Sequence, residues 1–312
     1  MIVYKKPSWL RMFFTLKGSI LSHIIGRLVA TTLFATVWTL LFDFKVFDGE
    51  DFSITTLPFT LVGTALAIFL GFRNNSSYDR FWEGRKLWGA MINTTRSVTR
   101  QILTLIDGGD EASSKVERLK RELVHQQIAY LHALRHHLRD ETDRSECEVY
   151  LSPQDYERLS SDPNPPIGLL HSMGERFVTA WRQGWVDTMH LPILERSLVS
   201  MTDIQGACER IKKTPIPFAY TVLMHRIVGL YCFALPFGIY QTIGDLTPIV
   251  VLLVSYGFLG LDAIGDEIEE PFGTEANDLP LSAFCRMLER EARYRIGEEM
   301  PEMLEPIDHV LT

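Results

Sequence analysis

Residues 54–72 read ITTLPFTLVGTALAIFLGF, and no ionisable side chain interrupts them. As a helix the stretch covers about one hydrocarbon thickness, so it predicts a membrane span rather than a soluble core helix. It stops at Arg73, where a polar and aromatic block, RNNSSYDRFWEGRKLWGAMINTTRS, begins. Gly63, Thr64, Ala65, Ala67 and Gly71 are scattered among the bulky Leu57, Leu61, Ile68, Phe69 and Phe72. Small residues let helix backbones approach closely in lipid, while Leu61, Ala65 and Phe69 follow one another at i, i+4 on one face. That face either packs against neighbouring helices or, with several copies around an axis, forms rings of apolar side chains that gate ions by expelling water.

Three further stretches are apolar enough to span. IIGRLVATTLFATVWTLLF, Ile24–Phe42, carries one charge, Arg27, near its start, where a long side chain can snorkel to the headgroups. A third begins near Thr214 and runs through PIPFAYTVLMHRIVGLYCFALPFGIY, and a fourth, PIVVLLVSYGFLGL, ends at Asp262. Lys5, Lys6, Arg11 and Lys17 precede the first span, and Arg73, Arg80, Arg85 and Lys86 follow the second. The turn between them holds Asp43, Asp48, Glu50 and Asp51 against a single Lys45. The excess of cations on one side predicts both termini, and everything between Arg73 and Thr214, in the cytoplasm.

The chain has 312 residues, 46% hydrophobic and 22% charged, with mean hydropathy +0.04. Such a mixture predicts apolar spans diluted by a large charged soluble portion. Five segments result: an interfacial N-terminal arm, 1–23; spans one and two, 24–72, with the pore helix at 54–72; a helical cytosolic domain, 73–213; spans three and four, 214–262; and a cytosolic C-terminal segment, 263–312. The arm is basic and aromatic but lacks an apolar core with a small-residue cleavage site, so no secretory signal is read. Helical periodicity fills the cytosolic domain, with breaks at Asp107–Asp110 and Ser161–Gly168, and the tail stretch LSAFCRMLEREARYRI is amphipathic. No alternating strand pattern is found.

A net charge of −8 with no dominant basic block excludes a nucleic-acid protein. Cys147, Cys208, Cys232 and Cys285 are too far apart for a zinc motif or disulfide framework. His125, His132, His136 and His137 invite a metal, with 132 and 136 on one helix face, but no adjacent carboxylate or thiolate completes a set, so no metal or other cofactor is expected. No nucleophile–base pairing or phosphate-binding loop points to an enzyme. Within the third span His225 and Arg226 are costly in lipid unless paired or hydrated, and Asp262 lies at similar depth; Arg226 with Asp262 is the expected intramembrane pair.

GFRNNSSYDRFWEGRKLWG, TPIPFAYTVLMHR and DEIEEPFGTEANDLPL together resemble the bestrophin family in its bacterial branch. The resemblance implies an all-α, four-span channel subunit in the inner membrane, assembled with itself as a homopentamer around one central pore. Its partners are then membrane lipids and small monovalent ions. In that family the second span lines an apolar pore neck in three layers. Leu61, Ala65 and Phe69 are the matching positions, Leu57 competes if the register differs by one turn, and Ala65 is smaller than the family's bulky residue. Counting back from TPIPFAY gives Met189 as a second, cytosolic constriction. The eukaryotic calcium clasp is reduced here to Glu275, Asn277 and Asp278, so calcium activation is not carried over. The acidic outer turn and the acids after the fourth span, Asp262, Asp266, Glu267, Glu269 and Glu270, tilt the reading to cations. The rival is a non-conducting membrane scaffold or sensor with a cytosolic partner-binding domain.

Overall fold

The computed structural model describes residues 1–2, 10, 12, 15, 18–44, 55–307 and 309–311. The basic residues Lys5, Lys6, Arg11 and Lys17 and the turn residues Lys45, Asp48, Glu50 and Asp51 lie outside the described residues. In chain order the helices are α1 (Leu21–Asp43), α2 (Leu57–Leu105), α3 (Gly109–Arg139), α4 (Ser145–Glu148), α5 (Pro153–Ser161), α6 (Pro165–Arg182), α7 (Leu191–Lys213), α8 (Phe218–Ile243), α9 (Thr247–Glu269) and α10 (Leu281–Arg295). Among the described residues no strand forms, only isolated bridges such as Ile106 with Val186. Two compact units result. One holds Met1, Ile2, Trp82–Thr214 and Pro271–Thr312; the other holds the apolar segments up to Phe81 and Pro215–Glu270.

In the apolar unit α1 buries Ile24, Leu28, Thr31, Ala35 and Thr39, one stripe at i, i+4, i+7, i+11 and i+15. Its core gathers Ile24 with Leu66 and Leu70 of α2, Met224, Val228 and Cys232 of α8, and Leu259 and Ala263 of α9. Hydroxyls inside this surface are satisfied within their own helix: Thr31 and Thr32 donate to the Leu28 carbonyl at 3.0 and 2.8 Å, and Thr39 donates to Ala35 at 2.9 Å. That arrangement suits a medium without competing water. Among the described residues three helical stretches are long and apolar enough to cross a membrane: Leu21–Asp43, part of Leu57–Leu105, and Phe218–Glu269, the last being α8 and α9 joined by a 3-10 turn.

The division between the units falls at Phe81, not at Arg73, where the apolar run ends. Arg73, Asn74 and Arg80 are polar, yet each bonds to α9: the Asn74 amide donates to the Leu261 carbonyl at 3.0 Å and Arg80 Nε to that of Glu269 at 3.0 Å. α2 runs through these residues without interruption to Leu105.

The polar unit is a helical assembly around Trp88, Met91, Ile102, Leu123, Ile128, Leu131 and Phe177, all buried. Trp88, which its sequence surroundings place at a wet boundary, is instead fully covered, with Phe284 of α10 at 6.1 Å between ring centroids. The SDPNPPIG break is shorter than its composition predicts. Pro165 and Pro166 open α6, where a missing N–H costs nothing, and Gly168 is already helical.

Candidate pore-lining helix and its charged anchor

The upper half of α2 has two unlike faces. Gly63, Leu66, Leu70, Arg73 and Ser77 are buried, and at about 100° per residue they share one side of the helix. Gly63 lies close to α8 there: a Cβ on it would stand 2.5 Å from the Tyr231 hydroxyl oxygen, which would have to shift. Leu57, Leu61, Ala65 and Phe69 are all exposed, at 64%, 63% and 51% for the three large ones. They do not lie on one line, however. Diametrically opposite the buried side stand Leu57, Leu61, Thr64, Ile68, Phe72 and Asn75, while Ala65 and Phe69 lie to the flank. Ile68 and Phe72, exposed at 53% and 60%, are the residues that a strict i, i+4 series from Leu61 passes over. The burial pattern identifies them: Arg73 is buried against α9, and Ile68 and Phe72 stand on the other side of the helix.

Arg73 has no exposed side-chain surface. Its Nη1 donates to Asp262 Oδ1 at 2.9 Å and its Nη2 to Asp266 Oδ1, with Glu269 at 4.0 Å. Asp262 Oδ2 meets His225 Nδ1 at 2.5 Å and lies 3.8 Å from Arg27. The expected partner of Asp262 was Arg226, and here the sequence reading is corrected. Arg226 is exposed, because it is rotated about 100° from His225 on α8 and points away from α9. His225, also noted, does reach the carboxylate. Two acids thought to bias the pore, Asp262 and Asp266, are thus held by cations of the same chain, and Glu269 also accepts the Ile216 N–H at 2.8 Å.

In the polar unit, Met189 is 76% exposed in a turn where its N–H bonds to Asp187 Oδ1 at 2.7 Å. Asp278 is buried, and its carboxylate accepts the Glu275 N–H at 2.7 Å while the Glu275 carbonyl accepts the Asp278 N–H at 3.1 Å; that oxygen closes a turn. The histidines of α3 do find carboxylates, brought from distant sequence. His132 lies 3.3 Å from Glu146 and 3.4 Å from Glu289, and His136 lies 2.6 Å from Glu141. Burial disfavours the His132 imidazolium, but Glu146 and Glu289 outweigh it and its pKa is raised. Hydrogen bonds from His132 and His136, with Arg135 beside them, hold Glu146 well below the usual carboxylate range. Burial pushes the thiols of Cys147, Cys208 and Cys285 up to about 12, which makes them inert.

The sequence profile for Bacterial/Fungal Bestrophin protein covers residues 1–294. The chain belongs to the bestrophin family. Among curated bestrophin relatives, the voltage-dependent anion channel-forming protein of Ralstonia nicotianae is 41% identical, over 96% of this chain and 95% of the relative. That of Mesorhizobium japonicum is 39% identical, over 97% and 95%. The crystal structure of a bacterial bestrophin homologue from Klebsiella pneumoniae superposes with a TM-score of 0.81 at 32% identity, over 88% of this chain and 99% of that one. This bestrophin is therefore a membrane protein of an ion-channel family, not of an enzyme family. The tilt to cations finds no support: the curated bestrophins are named for anions, and part of the acidity behind it is neutralised by Arg73.

Proposed function

We propose that five copies of this chain surround one central pore in the inner membrane and conduct small monovalent ions passively down their gradients. The observation that carries the reading is the bare face of α2: only 22% of its most apolar window is buried within the chain, although the opposite face is pinned by a buried arginine. Such a surface calls for lipid, for other copies, or for a lumen. With Arg73 turned toward its own subunit, Leu57, Leu61, Ile68 and Phe72 would stack as apolar rings, Thr64 providing a small step between them. Ala65 and Phe69 then flank the lumen at the contact between copies.

In this topology α1, the apolar half of α2, α8 and α9 cross the membrane, both termini are cytoplasmic, and residues 82–214 form the cytosolic domain, with Met189 at a second narrowing. Anions are the conducted species, in keeping with the names of the curated relatives. Purified protein in a planar bilayer under a KCl gradient tests this: the current should reverse at the chloride equilibrium potential. Reversal at the potassium potential overturns the anion assignment. A stable oligomer that passes no ion, even with Ile68→Ala and Phe72→Ala combined, favours a membrane scaffold instead.

A further inference from the structure

Helices of the apolar unit bring charge to one point. Arg27 comes from α1, Arg73 from α2, His225 from α8, and Asp262 and Asp266 from α9, one helical turn apart. Arg73 takes one oxygen, Oδ1, from each aspartate and leaves both Oδ2 atoms beside the imidazole of His225, that of Asp262 at 2.5 Å from Nδ1 and that of Asp266 at 3.4 Å from Nε2.

We propose that His225, Asp262 and Asp266 form a binding site for a transition-metal dication of the zinc class. Among the described residues this is the one trio of histidine and acidic side chains with ligand atoms all within 4.8 Å of one another. Zinc bonds of about 2.0–2.2 Å to nitrogen and oxygen put tetrahedral ligands ~3.4 Å apart, the separation already present between His225 Nε2 and Asp266 Oδ2, 3.4 Å. One imidazole with two carboxylates suits zinc rather than calcium, which asks for six or more oxygens. The arginine is the kind of outer partner that orients ligating carboxylates by bonding their second oxygens. Asp262 is sealed from solvent, but His225 and Asp266 are 36% and 39% exposed, so the site has an entrance and room for a water as fourth ligand.

The site goes beyond conduction and is tested without it. Full-length protein in detergent is titrated with cobalt(II), read by its visible ligand-field absorption, and the cobalt is then displaced with zinc. One ion per chain is expected. His225→Ala and Asp266→Asn should each weaken binding by more than ~100-fold, beyond what an outer-sphere change costs, with thermal melting confirming the fold. His132→Gln, in the other histidine cluster, should leave uptake unchanged. Absence of uptake, uptake that survives both ligand variants, or uptake lost in His132→Gln overturns the assignment.

Discussion

Arg73 is the residue on which the apolar unit depends most. Its charge is buried, and so is that of Asp262; removing either leaves the other only partly compensated, Arg73 by Asp266 and Asp262 by the more distant Arg27, a loss that approaches the about 3–5 kcal/mol of a broken buried pair. Arg73→Met should accordingly lower the melting temperature of the detergent-solubilised protein sharply, and Asp262→Asn added to it should cost much less than it does alone, because the two share one interaction. In the polar unit the signs of two shifts bracket a pH optimum. His132 titrates higher in the fold, so its stabilisation is complete below the ordinary histidine value of about 6.5 and fades as pH rises through the raised one. Glu146 titrates lower, so its share is present above the ordinary glutamate value of about 4.3 and is lost as pH falls through the depressed one. Melting followed against pH should show stability declining on the alkaline side, and His132→Gln should flatten that limb.

At the scale of elements, the apolar periods and the Pro and Gly breaks predicted a helical chain, and the structure joins the second span and the polar block after it into one helix. Arg73 ends a hydrophobic run but not a helix, since nothing from Arg73 to Leu105 interrupts hydrogen bonding along α2. The apolar helices also meet closely where glycine allows it. Gly238 of α8 lies directly against the Phe59 ring of α2, with no room for a Cβ. Gly238→Ala should cost about 1–3 kcal/mol by overpacking, and combining it with Phe59→Ala should recover part of that loss in the same melting assay. Gly63, against the movable end of Tyr231, should tolerate alanine better.

For the whole molecule, the exposed apolar faces require partners that one chain does not contain. Native mass spectrometry from detergent should find five copies of the 35.7 kDa chain; a monomer would remove the ground for a shared lumen. Within the oligomer, Ile68→Ala and Phe72→Ala should change single-channel conductance more than Phe69→Ala, because the first two lie opposite the anchored face.

Periodicity and charge determined that the chain is helical, where its apolar helices run, and that the second of them is the one to watch, because hydrophobic runs and the cost of ions in lipid are local properties written residue by residue. The family could be recognised from three short segments for the same reason. The rotation of each helix about its own axis belonged to the tertiary structure alone. Only there did Arg73, rather than Arg226, take Asp262, did His132 acquire Glu146 and Glu289, and did Ile68 and Phe72 come to stand on the open side. A helix presents every direction in turn, and only its packed neighbours choose which one is inward.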